Sequence, residues 1–103
     1  NLRGVVVPKV HPLASHAYHQ YTIKVEGHNR SEFAAELKKR GVDSDVYYPA
    51  PVHKLPAYGL THSFEVTEQI TQSCLSIPVH QKLSKSDLVK IVDSVNHVAK
   101  AGA

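Results

Sequence analysis

The clearest pattern along this sequence is a strict alternation of apolar and polar residues between positions 17 and 25. One face of that segment carries Ala17, His19, Tyr21, Ile23 and Val25. A period of two in a run rich in β-branched and aromatic residues predicts a β-strand. Two later runs, residues 42–48 and 75–79, alternate in a similar way and predict two more strands. Pro78 cannot donate to a sheet ladder, so we expect the last strand at a sheet edge or expect it to end there.

Apolar residues at helical spacing fill the intervals between and after these strands. The first helix is predicted over about 30–40, because Asn29 can cap its start and Gly41 can adopt the left-handed conformation that stops it. A second helix is predicted over 64–73, and Ser84 can cap a third. The apolar stripe of the third helix is predicted to comprise Leu88, Ile91, Val92, Val95 and Ala99.

The predicted order of elements is strand–helix, repeated three times. A strand–helix–strand crossover makes the first two strands parallel. The third strand could extend an all-parallel sheet, or it could lie between the first two and run antiparallel to them, as in a split βαβ unit. The polar alternation favours the split form, because strands buried on both faces are usually continuous apolar runs. The predicted fold is α+β, with a small three-stranded, mostly antiparallel sheet and helices packed on one face.

The sequence predicts one small domain with a leading connection. Pro8 and Pro12 favour extended backbone, so residues 1–16 are predicted to be an extended inter-domain connection and residues 17–103 the domain itself. A chain of 103 residues can bury only one modest core. The predicted core consists of Tyr21, Ile23, Val25, Phe33, Leu37, Leu75, Ile77, Leu88, Ile91, Val92 and Val95.

Composition and charge narrow the classes of function. Hydrophobic residues make up 42% of the chain and charged residues 20%, values that suit a soluble globular domain. The net charge of +3 is spread along the chain, and the basic run 38–40 lies where a helix C-terminus favours cations. Cys74 is the only cysteine, so no internal disulfide can form, and we expect a reducing, cytoplasmic setting. No apolar run approaches the roughly 20 residues that span a membrane.

Residues with catalytic or metal-binding potential are mostly scattered. The eight histidines show no metal-ligand spacing, so no metal site is predicted. The sequence contains no glycine-rich phosphate loop and no nucleophile elbow. None of its lysines has a sequence context that indicates an apolar pocket, which would lower the lysine pKa for Schiff-base chemistry.

One dense cluster of polar rings lies between residues 47 and 53. It combines the phenols of Tyr47 and Tyr48 with the imidazole of His53, and prolines stiffen the backbone between them. Phenol and imidazole groups can bind sugar hydroxyls, phosphates and planar rings. The alternative is that the tyrosines pack on a helix while His53 is solvated.

Four segments, in order along the chain, carry the pattern of a known family. Residues 18–21 read Tyr-His-Gln-Tyr, and residues 41–58 contain Gly-Val, then Tyr-Tyr-Pro-Ala-Pro-Val-His, then Pro-Ala-Tyr. Residues 75–78 read Leu-Ser-Ile-Pro, and residues 83–92 begin with Leu-Ser and continue with the pairs Asp-Leu and Ile-Val. As an ordered set, these segments resemble the C-terminal small domain of the DegT/DnrJ/StrS sugar aminotransferases.

The resemblance implies a function that this chain could perform only in part. Members of the family are fold-type I pyridoxal-phosphate enzymes, usually dimers, that transfer an amino group, commonly from glutamate, to a keto sugar on a nucleotide. Their cofactor and its Schiff-base lysine belong to a large N-terminal domain, which this sequence lacks. The start at Asn1 and the absence of methionine likewise predict a processed chain or a piece of a longer one.

The expected partners and site residues follow from the resemblance. The partners are the N-terminal domain with its pyridoxal phosphate, a second subunit and the nucleotide-sugar substrate, whereas binding to a nucleic acid or a membrane is not expected. Tyr47, Tyr48 and His53 are the expected substrate contacts. No catalytic, cofactor-binding or metal-binding residue is expected in this chain, which alone should be inactive.

Two positions depart from the family pattern, and two other functions stay open. Many relatives have His at the position of Tyr47, and a Leu-Gln pair often follows the loop histidine where this chain has Lys54 and Leu55. Both differences bear on which sugar is bound.

The alternatives are a free-standing ligand-binding or regulatory domain, and a small basic nucleic-acid-binding domain supported only by Tyr18 and Lys24 on one predicted strand face.

Overall fold

A computed structural model describes residues 4–102, in which three short strands and three helices form one α+β unit. Residues 1–3 and 103, which belong to the predicted connection and the predicted domain respectively, lie outside the described residues. The strands are β1 (Val5–Val6), β2 (Tyr21–Val25) and β3 (Cys74–Ile77). The helices are α1 (Arg30–Lys39), α2 (Glu65–Ser73) and α3 (Lys85–Ala101). A single 3-10 turn, Val52–Lys54, lies within the long loop before α2.

The three strands form one antiparallel sheet in the order β1-β2-β3. Val5 pairs with Val25 and Ile23 pairs with Leu75, so these four side chains share one face. This face packs against α1 and α3. The opposite face carries polar side chains, and the hydroxyls of Thr22 and Ser76 are hydrogen-bonded across it at 2.8 Å. The predicted α+β class, with its antiparallel three-stranded sheet, is confirmed.

The predicted strand over 42–48 is reduced to a single bridge. Asp45 and Ser76 exchange backbone hydrogen bonds of 2.9 and 2.8 Å, and the pairing is antiparallel. β3 therefore lies between β2 and this segment, as the split arrangement predicts. The bridge does not extend because the Asp45 carboxylate accepts the N–H of Val46 at 2.8 Å, a local bond that competes with a ladder. Pro49 then removes a further donor.

The strand predicted from residue 17 begins only at Tyr21. Tyr18 has φ +47°, the left-handed conformation that few side chains adopt, and its N–H is bonded to Nδ1 of His16 at 2.9 Å. That bend breaks the extended backbone before β2. The remaining strand, β1, falls inside the predicted connection over 1–16 and pairs with the sheet as an edge strand.

Both predicted helix caps are present in the structure. The Asn29 side chain accepts the N–H groups of Ser31 and Glu32 at 3.0 and 3.1 Å, and Gly41 follows α1 with φ +76°. At α3, Ser84 and Asp87 form a reciprocal capping box. These local bonds satisfy N–H groups that a helix start leaves without partners, so the short motifs alone are enough to locate the ends.

The core matches most of the prediction but differs along α3. The buried apolar residues are Ile23, Val25, Phe33, Leu37, Val42, Leu75, Ile91, Val95, Val98 and Ala99. Tyr21 and Ile77 pack against this core while remaining partly exposed. The prediction was wrong for Leu88 and Val92, whose exposed fractions are 50% and 55%. α3 turns its Ile91–Val95–Val98 side to the sheet, so Leu88 and Val92 border an open groove beside β1 instead.

Substituting adjacent residues of α3 should separate the buried side from the exposed side. Ile91→Ala should lower the free energy of unfolding by about 2–5 kcal/mol, because it leaves a cavity under the sheet. Val92→Ala is the matched control and should change it by no more than about 0.5 kcal/mol. Urea denaturation of the 103-residue chain measures both. Equal losses for the two variants would contradict this orientation of α3.

Candidate functional site

The loop between α1 and α2 presents the predicted ligand-binding tyrosines to solvent. Tyr47 and Tyr48 have exposed fractions of 52% and 69%. They follow the Asp45 bridge directly, and Pro49 and Pro51 restrict the backbone after them. A phenol held on a stiff, exposed segment can donate or accept hydrogen bonds with little further loss of conformational freedom.

His53, the third predicted contact, is turned into the protein. Only 9% of its side chain is exposed. Its Nε2 lies 3.1 Å from Oε1 of Glu68 on α2, and its ring meets the ring of Phe64 edge-on at 4.7 Å between centroids. Its carbonyl oxygen accepts the N–H of Leu60 at 3.3 Å. The structure therefore separates the exposed tyrosines from His53, which holds the loop together from within.

Glu68 is the residue of this region that the sequence analysis missed. Its Oε1 also lies 3.0 Å from Nζ of Lys54 and accepts the N–H of Phe64 at 3.4 Å. The hydrogen bonds from Lys54 and then His53 hold the pKa of the Glu68 carboxyl below its usual range, although partial burial opposes this. Lys54, one of the two residues that depart from the family pattern after the loop histidine, is paired with this carboxylate.

The signal that could have identified Glu68 was weak. It stands in the first turn of α2, where acidic residues are common because they complement the helix dipole. No spacing in the sequence connects position 68 with positions 53 and 54. Only the packing of the loop against the helix brings these side chains together.

Cys74 and the remaining histidines show no sign of a reactive centre. Burial raises the pKa of the Cys74 thiol, which disfavours the nucleophilic thiolate, as expected for a packing residue. Among residues 4–102, no three His, Cys, Asp or Glu side chains converge as a metal site would require. Over the same residues, no helix is both long and apolar enough to cross a membrane.

Comparison with known proteins settles the family. The profile of the DegT/DnrJ/EryC1/StrS aminotransferase family matches residues 1–96 of the chain. The chain belongs to this family. The resemblance drawn from the four sequence segments is thereby confirmed.

Curated relatives cover nearly all of this chain, but the chain covers little of them. It is 36% identical to the erythromycin biosynthesis sensory transduction protein EryC1 of Saccharopolyspora erythraea, across 97% of this chain and 27% of that protein. It is 29% identical to the dTDP-3-amino-3,4,6-trideoxy-alpha-D-glucose transaminase of Streptomyces venezuelae, across 96% of this chain and 27% of that protein. The chain thus spans about a quarter of the length of these relatives.

Solved structures of the family share the fold. The aminotransferase TlmJ from Streptoalloteichus hindustanus matches with a TM-score of 0.86 and 30% identity, over 97% of this chain and 27% of that one. The S. venezuelae enzyme DesV, solved with a ketimine intermediate, matches with a TM-score of 0.85 and 29% identity, over 96% and 27%. These matches confirm that the three-stranded unit is a recurrent part of larger aminotransferases.

Removing Lys54 should raise the pKa of Glu68, because the Lys54 hydrogen bond is the largest influence that lowers it. The carboxyl pKa can be followed by NMR titration of labelled glutamate in Lys54→Ala. Lys39→Ala is the matched control, since Lys39 lowers the pKa of Glu36 on α1 in the same way. It should raise the pKa of Glu36 alone. An unchanged Glu68 pKa in Lys54→Ala would contradict the ion pair.

The lowered pKa of Glu68 determines how the free energy of unfolding depends on pH. Its bonds to Lys54 and His53 stabilise the folded chain at pH values above the ordinary pKa of a glutamate. This contribution is lost as the pH falls through the lower value of the folded state. The pH dependence of unfolding below neutrality should therefore be shallower in Lys54→Ala.

Proposed function

We propose that this chain is the C-terminal small domain of a pyridoxal-phosphate-dependent sugar aminotransferase. The observation that carries the proposal is the family match over residues 1–96. Relatives with related sequences include transaminases named for dTDP-linked and UDP-linked sugars. The reaction is the transfer of an amino group, from glutamate, to a keto sugar on a nucleotide. The whole enzyme acts as a homodimer, as the family resemblance implies, and its setting is the reducing cytoplasm that suits a single unpaired cysteine.

The lysines of this chain do not suit a cofactor site. Within residues 4–102, every lysine is exposed except Lys24, which is half-buried and paired with Glu26 at 3.0 Å. A Schiff-base lysine needs a desolvated or cationic surrounding that favours its neutral amine. In this proposal pyridoxal phosphate, which supplies the electron sink for amino transfer, is bound by the N-terminal domain. The 103-residue chain by itself is then inactive.

The contribution of this chain is to bind and orient the sugar nucleotide. Tyr47 and Tyr48 are the proposed direct contacts, since their phenols are exposed on a stiff segment. The His53 side chain is mostly buried, and its Nε2 is hydrogen-bonded to Glu68. His53 is therefore proposed to affect substrate binding mainly by holding the loop in place. The tyrosines would hold a sugar hydroxyl or a phosphate oxygen while the chemistry proceeds at the cofactor.

Kinetics of the separate half-reactions test the substrate role of Tyr48. In the full-length enzyme, Tyr48→Phe should slow single-turnover use of the keto sugar by about 10- to 150-fold, the range for one lost hydrogen bond to a charged group. The glutamate half-reaction should be unchanged, because it does not involve the sugar. Val52→Ala, an exposed change in the same loop, is the control. Equal damage to both half-reactions, or damage to neither, would rule out this role.

The open groove beside β1 is the proposed contact with the N-terminal domain. Apolar side chains line it, among them Val6, Val7, Leu88 and Val92, and they are exposed in this chain. β1 forms one border of the groove and is the first described strand, so polypeptide preceding it would leave from this border. The relatives are several times longer than this chain. Covering the groove with the N-terminal domain would remove this apolar surface from water.

Two neighbouring valines on α3 provide a matched test of that contact. Val92 borders the groove, whereas Val89 is equally exposed on α3 and does not border it. In the 103-residue chain, Val92→Glu and Val89→Glu should each change the free energy of unfolding by no more than about 0.5 kcal/mol. In the full-length enzyme, Val92→Glu should lower the melting temperature and Val89→Glu should not. Equal melting temperatures for the two full-length variants would contradict the contact.

A further inference from the structure

The exposed tyrosines lie on a short segment whose first end is fixed to the sheet. Asp45 precedes Tyr47 by two residues, and its backbone is bonded to Ser76 in β3 at 2.9 and 2.8 Å. Ser76 is itself buried and is bonded to Thr22 of β2. The start of the segment is therefore attached to the most buried layer of the domain.

The second end of the segment is fixed to α2 by one carboxylate. Oε1 of Glu68 lies 3.1 Å from Nε2 of His53, 3.0 Å from Nζ of Lys54 and 3.4 Å from the backbone nitrogen of Phe64. Hydrogen bonds to an ionised acceptor are stronger than neutral ones. With its side chain 21% exposed, Glu68 holds the loop at three points from a partly desolvated position.

The two residues that anchor the segment, Glu68 and Ser76, belong to one continuous piece of backbone. α2 ends at Ser73 and β3 begins at Cys74, with no connecting residue between them. The guanidinium of Arg30, at the start of α1, donates to the carbonyl oxygens of Thr71 and Cys74 and braces this junction. The distance between Glu68 and Ser76 is therefore fixed. The loop segment from Asp45 to Lys54, which is bonded to both residues, is held at its two ends.

We infer that Glu68 is a positioning residue, which sets the orientation of Tyr47 and Tyr48 by holding the far end of their segment against α2. The inference rests on the proposed function for its consequence, since it presumes that the tyrosines meet the sugar nucleotide. Its structural part can be tested without the substrate, because it states that the Glu68 side chain keeps the loop 46–60 ordered. The prolines at 49 and 51 transmit the constraint by restricting the backbone between the two ends.

Glu68→Gln tests the inference, because it keeps the size of the side chain and removes its charge. The amide oxygen can still accept hydrogen bonds at the position of Oε1, but it carries no negative charge and therefore attracts the Lys54 ammonium less strongly. Glu65→Gln is the matched control one turn earlier on α2, where the carboxylate accepts from Gln69 within the same helix. Both variants should retain the core, which lies on other elements.

Amide hydrogen exchange of the 103-residue chain gives the first measurement. In Glu68→Gln, the amide of Leu60, which is bonded to the His53 carbonyl, should exchange about three- to tenfold faster, the effect of losing one or two modest charged contacts. The amides of Asp45 and Ser76 should keep their wild-type rates, because the first end of the segment is untouched. Glu65→Gln should change none of them. Wild-type exchange at Leu60 in Glu68→Gln would overturn the inference.

Kinetics of the full-length enzyme give the second measurement and separate the two proposals. Glu68→Gln should raise the KM for the sugar nucleotide by about three- to tenfold, in proportion to the loosened loop, and leave the glutamate half-reaction and its KM unchanged. A loosened loop with unchanged sugar KM would overturn the positioning role. If Tyr48→Phe also had no effect on the sugar, the proposed function of the tyrosines would fail, while faster exchange in Glu68→Gln would still identify Glu68 as the anchor of the loop.

Discussion

The apolar face of β2 is the surface on which the rest of the domain depends. Ile23 and Val25 are almost fully buried there, and both neighbouring strands extend the same face. α1 has only ten residues, and isolated helices shorter than about 12–15 residues are marginal in water. It is stable here because Phe33 and Leu37 are buried against this face. The central strand thus supplies the hydrophobic partner that the short helices need.

α2 continues directly into β3, so the sheet also fixes the helix that contacts the candidate site. β3 is held in the sheet by its ladder with β2, so α2 is held as well, because no flexible residue separates them. The long loop before α2 has little regular structure, but it is bonded to β3 at Asp45 and to α2 at His53. A loop of this kind can be exposed and still be well ordered, which suits a surface that binds a ligand.

The same architecture leaves apolar side chains exposed on one side of the domain. The groove beside β1 exposes apolar side chains, and this chain spans only 27% of the length of its relative EryC1. The proposed substrate site on the loop and the proposed apolar contact beside β1 would both suit a domain that works with a larger partner.

Local sequence determined the features that depend on neighbouring residues. Asn29, Gly41 and Ser84 mark helix ends, because their caps are made within a few residues of chain. The alternation around Ile23 located the central strand, and the ordered motifs identified the family. Tyr47 and Tyr48 were recognised as exposed candidates from the same motifs, although their role in binding stays a prediction.

Only the tertiary structure decided which faces meet. The stripe on α3 contains both Ile91 and Val92, and the crossing of the helix over the sheet buries the first and exposes the second. The strand expected over 42–48 shrank to Asp45 because its own carboxylate competes for the next N–H. Glu68 acquired its place beside His53 and Lys54 through a contact between a loop and a helix. Such contacts join residues far apart in the chain, and their energies depend on distances that periodicity and spacing do not contain.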